Sequence, residues 1–207
     1  YQTKTVLFAL GSDHRKLNVP GEKEYEGKGV FYCSTCDAPL MKNKKVAVVG
    51  GGNSGLEAAI DLLPYASEIY ILQRSNQLKG DVIYQEKLKA EPKVKILFQS
   101  LTKEILGADF VSGIKYTDAE TNEEKILNVE GIFVAIGYMP NTAIIKDLVR
   151  LDDNGHIIVD HKTLQTSMPG IWAAGDATDG LYNQFNTAMG DAINATLNIY
   201  DSFKSGI

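Results

Sequence analysis

Two cysteines three positions apart, in Cys33-Ser-Thr-Cys36, are followed at once by an acid, Asp37. Sulfurs at this spacing can close and reopen a disulfide within one turn of chain, and an adjacent carboxyl can take up or return the proton that thiol exchange moves. They are the only 2 cysteines of the sequence. In a cytosolic setting such a pair cycles between dithiol and disulfide more often than it serves as a permanent bridge. Two readings compete with redox use. One is a structural pair of buried thiols; the other is a zinc site that would draw on His156 and His161, which have a usable spacing but lie far along the chain from the sulfurs.

A second chemical signal is Gly50-Gly51-Gly52-Asn53-Ser54-Gly55. In the pattern Gly-x-Gly-x-x-Gly the first glycine allows a tight turn, the second lets backbone approach a pyrophosphate, and the third permits close packing of the following helix. Phosphate would then sit on free N–H groups at the helix start, where the dipole favours negative charge. A mere tight turn is the alternative, but here the glycines follow an apolar run and open an amphipathic one, which favours dinucleotide binding. About 20 residues on, where an acid would pair with the ribose hydroxyls of NAD, stands Gln73, followed by Arg74 and Lys79. Cations without a carboxylate favour the 2'-phosphate of NADPH over NADH, unless Arg74 and Lys79 are only solvated surface charges.

These residues need a scaffold, and the apolar runs supply one. Lys45 to Val49 reads as a strand buried on both faces; a helix follows, capped by Asn53, with Leu56, Ala59, Ile60 and Leu63 as its apolar face and Pro64 near its end. Glu68 to Gln73 is predicted as a strand, Val82 to Ala90 as a helix ending at Pro92, and Val94 to Phe98 as a third buried strand. Val111 to Thr117 and Lys125 to Val129 form a hairpin pattern, and Ile132 to Gly137 resumes a buried strand. Pro140 marks a break over Tyr138 to Thr142; strand-like runs also occur at Thr5 to Leu10 and Gly170 to Ala174. The last segment, Asn183 to Phe203, has helical spacing at Phe185, Met189, Ile193, Leu197 and Tyr200.

Composition bounds the partners. The chain has 207 residues, 44% apolar and 23% charged, with a formal charge of -5. That balance disfavours nucleic acid or an anionic membrane as partner, and neither a spanning helix nor a signal peptide is legible, so a cytoplasmic location is expected. A start at Tyr1, a few residues before an apolar strand, is expected of a piece of something longer.

Taken in order, Cys33-Ser-Thr-Cys36-Asp37, Lys45 through Gly55, Val134-Ala-Ile-Gly137-Tyr-Met-Pro-Asn-Thr142 and Pro169-Gly-Ile-Trp-Ala-Ala-Gly175-Asp176 resemble low-molecular-weight thioredoxin reductases of the pyridine nucleotide-disulfide oxidoreductase family. The flavin subunit of alkyl hydroperoxide reductase looks similar. The resemblance implies an α/β fold: a three-layer Rossmann-like NAD(P)-binding domain with a β-hairpin or meander, plus an incomplete FAD-binding domain, since the family's second glycine loop has no counterpart here. It implies FAD-domain remnants over 1 to 15 and 141 to 207, and an inserted nucleotide domain with the dithiol over 16 to 140.

By the same resemblance Gly50 to Gly55, Arg74, Lys79 and Gly137 would serve NADPH, while Gly175, Asp176 and Gln184 would meet FAD. Cys36 would face the flavin, Cys33 would attack the partner's disulfide, and Asp37 would be the acid and base. The implied activity is that of a thioredoxin-disulfide reductase, acting on thioredoxin or a similar small disulfide protein, homodimeric in its intact form. A dinucleotide-binding fragment without turnover, and an NADH-dependent reductase like the flavin subunit of alkyl hydroperoxide reductase, remain the alternatives.

Overall fold

The structure, a computed structural model, describes residues 2–204. The chain opens with β1 (Val6–Phe8) and β2 (Ser12–His14), then forms β3 (Val30–Phe31), the short helix α1 (Ser34–Asp37) and a 3-10 turn at Ala38–Met41. Next come β4 (Lys45–Val49), α2 (Asn53–Leu62), β5 (Glu68–Leu72), α3 (Val82–Lys89) and β6 (Val94–Leu97). A run of antiparallel strands follows, β7 (Ser100–Gly107), β8 (Val111–Asp118) and β9 (Glu123–Leu127), before β10 (Gly131–Val134) and β11 (Tyr138–Pro140). β12 (Ile171–Ala173), a 3-10 turn at Gly175–Ala177 and the long helix α4 (Phe185–Lys204) complete it. These elements fall into two compact units, one of residues His14–Gly137 and one made of the segments on either side of it.

In the His14–Gly137 unit a parallel sheet runs in the order β3-β10-β4-β5-β6. Its central strands bury both faces, because side chains alternate from one face to the other. Val46, Val48, Ile69, Ile71 and Phe133 pack with Leu56, Ala59 and Leu62 of α2 and Leu88 of α3. Ala47, Val49, Ile132 and Val134 pack instead with Ile105, Val111, Ile114 and Tyr116 of the antiparallel strands. Helices, sheet and a three-stranded meander are therefore three layers.

Several expectations change. The expected hairpin or meander is a three-stranded meander, β7-β8-β9, whose first strand the sequence pattern does not disclose. β6 is an edge strand and only half-buried, because among the described residues no strand pairs with it beyond β5. α2 buries Gly55, Leu56, Ala58, Ala59 and Leu62, so its inner face is turned from the predicted one and leaves Ile60 and Leu63 half-exposed.

In the other unit β1 pairs in parallel with β12, Leu7 opposite Trp172. β1 is half-buried along its length rather than buried, consistent with its single neighbour. The core gathers Ile145, Val149, Ile157, Val159, Leu164 and Trp172 against Ala195 of α4. Trp172 Nε1 donates to Asn198 Oδ1 at 2.9 Å, fixing α4 against the strand. Only Ala195 of α4 is buried, while Phe185, Met189, Ile193, Leu197 and Tyr200 are all exposed. The predicted apolar stripe is real as a stripe, but it faces away from this core.

Candidate nucleotide cleft and disulfide

The turn after β4 is built so that side chains are excluded at two points. Gly50 has φ of +124°, and a Cβ there would collide with the Ala135 carbonyl at the end of β10. A Cβ at Gly55 would collide with the Gly50 carbonyl, so α2 can approach β4 only with glycine there. Gly52 differs: nothing lies within 4 Å of the position its Cβ would take, so its face is open to a ligand. Gly52, not Asn53, is the N-cap residue of α2. Asn53 is spent otherwise, its Oδ1 accepting from the Asp81 N–H at 2.6 Å and joining the starts of α2 and α3. The first N–H groups of α2 have no partner within the helix by geometry, and they border the cleft.

That cleft, of about 500 Å³, brings together Gly50, Gly51, Gly52, Asn53, Ser54, Arg74, Lys79 and Gly137. Gly55 supports it from behind as a packing residue. Lys79 is placed by backbone, since its N–H donates to the Gly51 carbonyl at 2.7 Å. Gln73 is 6% exposed, and its Nε2 donates to Ser75 Oγ at 2.7 Å and the Gln77 carbonyl at 2.9 Å, so its amide shapes the loop that presents Arg74. Arg15, Leu17 and the β7 residues Ser100, Leu101 and Thr102, which no sequence motif singles out, also line the cleft. Arg15 enters through its N–H bond to the Gly137 carbonyl at 2.8 Å. The lining thus holds three cations, Arg15, Arg74 and Lys79, and no carboxylate, in a chain of net charge -5. No ion pair engages these three among the described residues. An anion is what such a surface attracts.

Cys33 and Cys36 form a disulfide, their Cα atoms 5.3 Å apart. Cys33 is the half-buried N-cap of α1, and its sulfur accepts the Cys36 N–H at 3.2 Å; Cys36 itself is exposed. Asp37 is half-buried beside the pair, its N–H bonded to the Cys33 carbonyl at 3.1 Å. Ser34 Oγ donates to Asp61 Oδ2 at 2.7 Å, so α1 is fastened near the end of α2 farthest from the glycine loop. At 1.5 Å rise per residue, the eight steps from Asn53 to Asp61 put roughly 12 Å of helix between the two sites. Just before Cys33, the buried Glu22 receives N–H donations from Leu17 and Asn18 and the Tyr32 hydroxyl at 2.9 Å. Burial, with help from Glu22, pushes the Tyr32 phenol well up from its ordinary value. The two sulfurs that the zinc alternative would use are bonded to each other, while His156 Nδ1 lies 3.2 Å from Asp152 and His161 Nε2 3.7 Å from Asp179.

Gly175, Asp176 and Gln184 belong to the other unit. Gly175 has φ of +74°, and its N–H donates to Asp191 Oδ2 of α4 at 3.3 Å. Asp176 is half-buried after β12, and Gln184 is exposed just before α4. This arrangement fits one polar end of a flavin. Among the described residues, though, no second glycine loop of the Gly50–Gly55 kind exists in this unit to cradle a pyrophosphate.

A parallel sheet ending in a cation-lined glycine loop, with a disulfide on the adjoining helix, defines the class of dinucleotide-binding redox proteins. The chain belongs to the pyridine nucleotide-disulphide oxidoreductase family, which matches residues 1–192. It is similar to an alkyl hydroperoxide reductase subunit of Staphylococcus aureus (strain Mu50 / ATCC 700699), 46% identical over 200 residues that are 97% of this chain and 39% of that protein. The Pseudomonas putida protein of the same name is 47% identical over 201 residues, 97% of this chain and 38% of the relative. Among solved structures, Lactococcus lactis thioredoxin reductase superposes with a TM-score of 0.84 at 34% identity, covering 96% of this chain and 66% of that one. Thioredoxin reductase of T. acidophilum gives 0.83 at 39% identity, covering 98% and 66%. The chain therefore spans about two-fifths of the curated relatives it matches and just under two-thirds of these solved chains. Among the described residues no helix is long and apolar enough to cross a membrane.

Proposed function

We propose that the chain supplies the nicotinamide site and the redox disulfide of an NADPH-dependent flavoprotein disulfide reductase of the thioredoxin reductase kind. One observation carries this reading: a glycine-loop cleft with three cations and no carboxylate lies in the same unit as the Cys33–Cys36 disulfide. The free N–H groups of Gly52 to Ser54 would hold the pyrophosphate, and Arg74 and Lys79 the 2'-phosphate. Asp176, Gly175 and Gln184 would hold part of the FAD in the other unit, which we take as the incomplete FAD-binding domain.

A bound flavin supplies the two-electron relay between nicotinamide and disulfide. With two electrons the Cys33–Cys36 bond opens to a thiolate and a thiol. The Cys36 N–H that points at Cys33 stabilises charge on that sulfur, which suits Cys33 to attack a partner disulfide. The attack forms a mixed disulfide and releases one partner thiolate, which takes a proton from Asp37. The ionised Asp37 then takes the proton of Cys36, whose thiolate displaces the second partner sulfur as a thiolate, and the Cys33–Cys36 bond re-forms. The partner on this reading is thioredoxin or a similar small disulfide protein, and the intact enzyme is a cytoplasmic homodimer.

The higher identity to the hydroperoxide reductase relatives favours a second reading, a reductase of a peroxide-reducing thiol protein that uses NADH. The intact enzyme, assayed with NADPH and with NADH against thioredoxin and a peroxiredoxin-type partner, separates the two. Cys33→Ser is expected to abolish partner reduction while nicotinamide binding persists. Reduction at the wild-type rate by that variant refutes the disulfide relay.

A further inference from the structure

One wall of the cleft comes from the meander, through the first residues of β7. They are stitched to the end of β5: the Gln73 N–H donates to the Leu97 carbonyl at 2.9 Å, and the Ser100 N–H donates to the Gln73 carbonyl at 3.0 Å. Along this stretch Ser100 and Thr102 turn inward while Leu101 and Lys103 turn out. Thr102 is 8% exposed and lines the cleft. Its Oγ1 is the one buried side-chain nitrogen or oxygen among the described residues that has no hydrogen-bond partner.

The other buried serine and threonine hydroxyls show how unusual this is. Ser100 Oγ donates to the Phe98 carbonyl at 3.0 Å, Thr142 Oγ1 to Gly155 at 2.7 Å, Thr166 Oγ1 to Ile171 at 3.0 Å and Thr178 Oγ1 to Gly175 at 2.8 Å. A buried hydroxyl without a partner costs more than an ordinary hydrogen bond returns, so its persistence calls for something that pairs with it. Valine would fill the same space at no such cost.

We infer that Thr102 is a binding residue for the adenosine half of the dinucleotide: its hydroxyl, closed to solvent in this structure, turns about χ1 into the cleft on binding and pairs with a ribose hydroxyl or the polar edge of the base. The position follows from the stitching to Gln73, because the end of the second strand of a Gly-x-Gly-x-x-Gly unit is where the adenosine ribose is held. A threonine hydroxyl both donates and accepts, which suits either group. Arg74 and Lys79 take the charged part of the same half, and Leu17, Val49 and Leu72 give the lining its apolar surface. The inference rests on the dinucleotide reading and adds to it a residue outside the glycine loop and the Gln73-Arg74 turn.

The test uses the full chain and adenosine 2',5'-bisphosphate as probe, with calorimetric titration and a thermal melt of each variant without ligand. Thr102→Val keeps the shape and removes the hydroxyl. It is expected to melt at or above the wild-type temperature and to bind the probe roughly three- to tenfold more weakly. Thr102→Ser restores the hydroxyl and is expected to bind as the wild type does. Unchanged affinity in Thr102→Val overturns the inference. So does a fall in both melting temperature and affinity that Thr102→Ser fails to rescue. A wild-type chain that binds only adenosine 5'-diphosphate has the NADH-type site, and the same variants are then read with that probe; one that binds neither overturns the dinucleotide reading itself, and this inference with it.

Discussion

At the scale of single residues, the cleft separates side chains that shape the site from side chains that would touch a ligand. Gln73 stands where an acid would select NADH, yet its amide nitrogen is engaged with Ser75 and Gln77, and Arg74 is the exposed neighbour. Arg74→Ala is accordingly expected to weaken NADPH binding by about tenfold, the worth of a charge-assisted hydrogen bond, and to leave NADH nearly unchanged. Equal losses for both nucleotides, read by fluorescence titration, would remove Arg74 from 2'-phosphate recognition. Much of this is legible in the sequence, because glycines at 50, 52 and 55 after a β-branched strand constrain backbone directly. Arg15 and Thr102 are not legible there. They reach the cleft through tertiary packing, and neither belongs to a local motif.

At the scale of elements, sequence pattern discloses what repeats with a period and misses what depends on neighbours. α4 is visible from its spacing, but spacing fixes a face without saying what that face meets. In the structure Phe185 is 79% exposed and Ile193 and Leu197 are each 57% exposed, so the stripe presents an apolar surface of the sort that binds dyes and promotes association. The chain is expected to bind an anilinonaphthalene sulfonate probe and to self-associate in sedimentation runs. Ile193→Glu with Leu197→Glu is expected to reduce both while leaving helix content by circular dichroism intact. An unaltered dye signal would show that the stripe is not the surface responsible. β7 escapes the pattern for a different reason. Ser100-Leu-Thr-Lys-Glu-Ile-Leu-Gly107 alternates only as far as its irregular register between Thr102 and Glu104, where the pairing with β8 slips.

At the scale of the whole molecule, the parallel sheet has an electrostatic clasp at the starts of three strands. Glu68 on β5 meets Lys45 of β4 at 2.8 Å and Lys95 of β6 at 2.7 Å. The hydrogen bond from Lys45, then those from Lys95 and Tyr70, hold the Glu68 carboxyl at about 2 against an ordinary 4.5. A depressed carboxyl stabilises the fold fully above its unfolded value, and that contribution fades as pH falls from about 4.5 toward about 2. Solvent exposure keeps it small. Glu68→Gln is expected to melt slightly below the wild type at pH 7 and level with it near pH 2. A gap of constant size across that range would show that the clasp acts through packing and not charge.

The bond from the Arg15 N–H to the Gly137 carbonyl carries a practical corollary. It brings the first and last residues of the His14–Gly137 segment side by side, as in modules that were spliced into a host gene between two neighbouring points. A gene encoding that stretch by itself should therefore yield a self-sufficient cassette, and joining its ends by a few linker residues should leave its nucleotide affinity untouched.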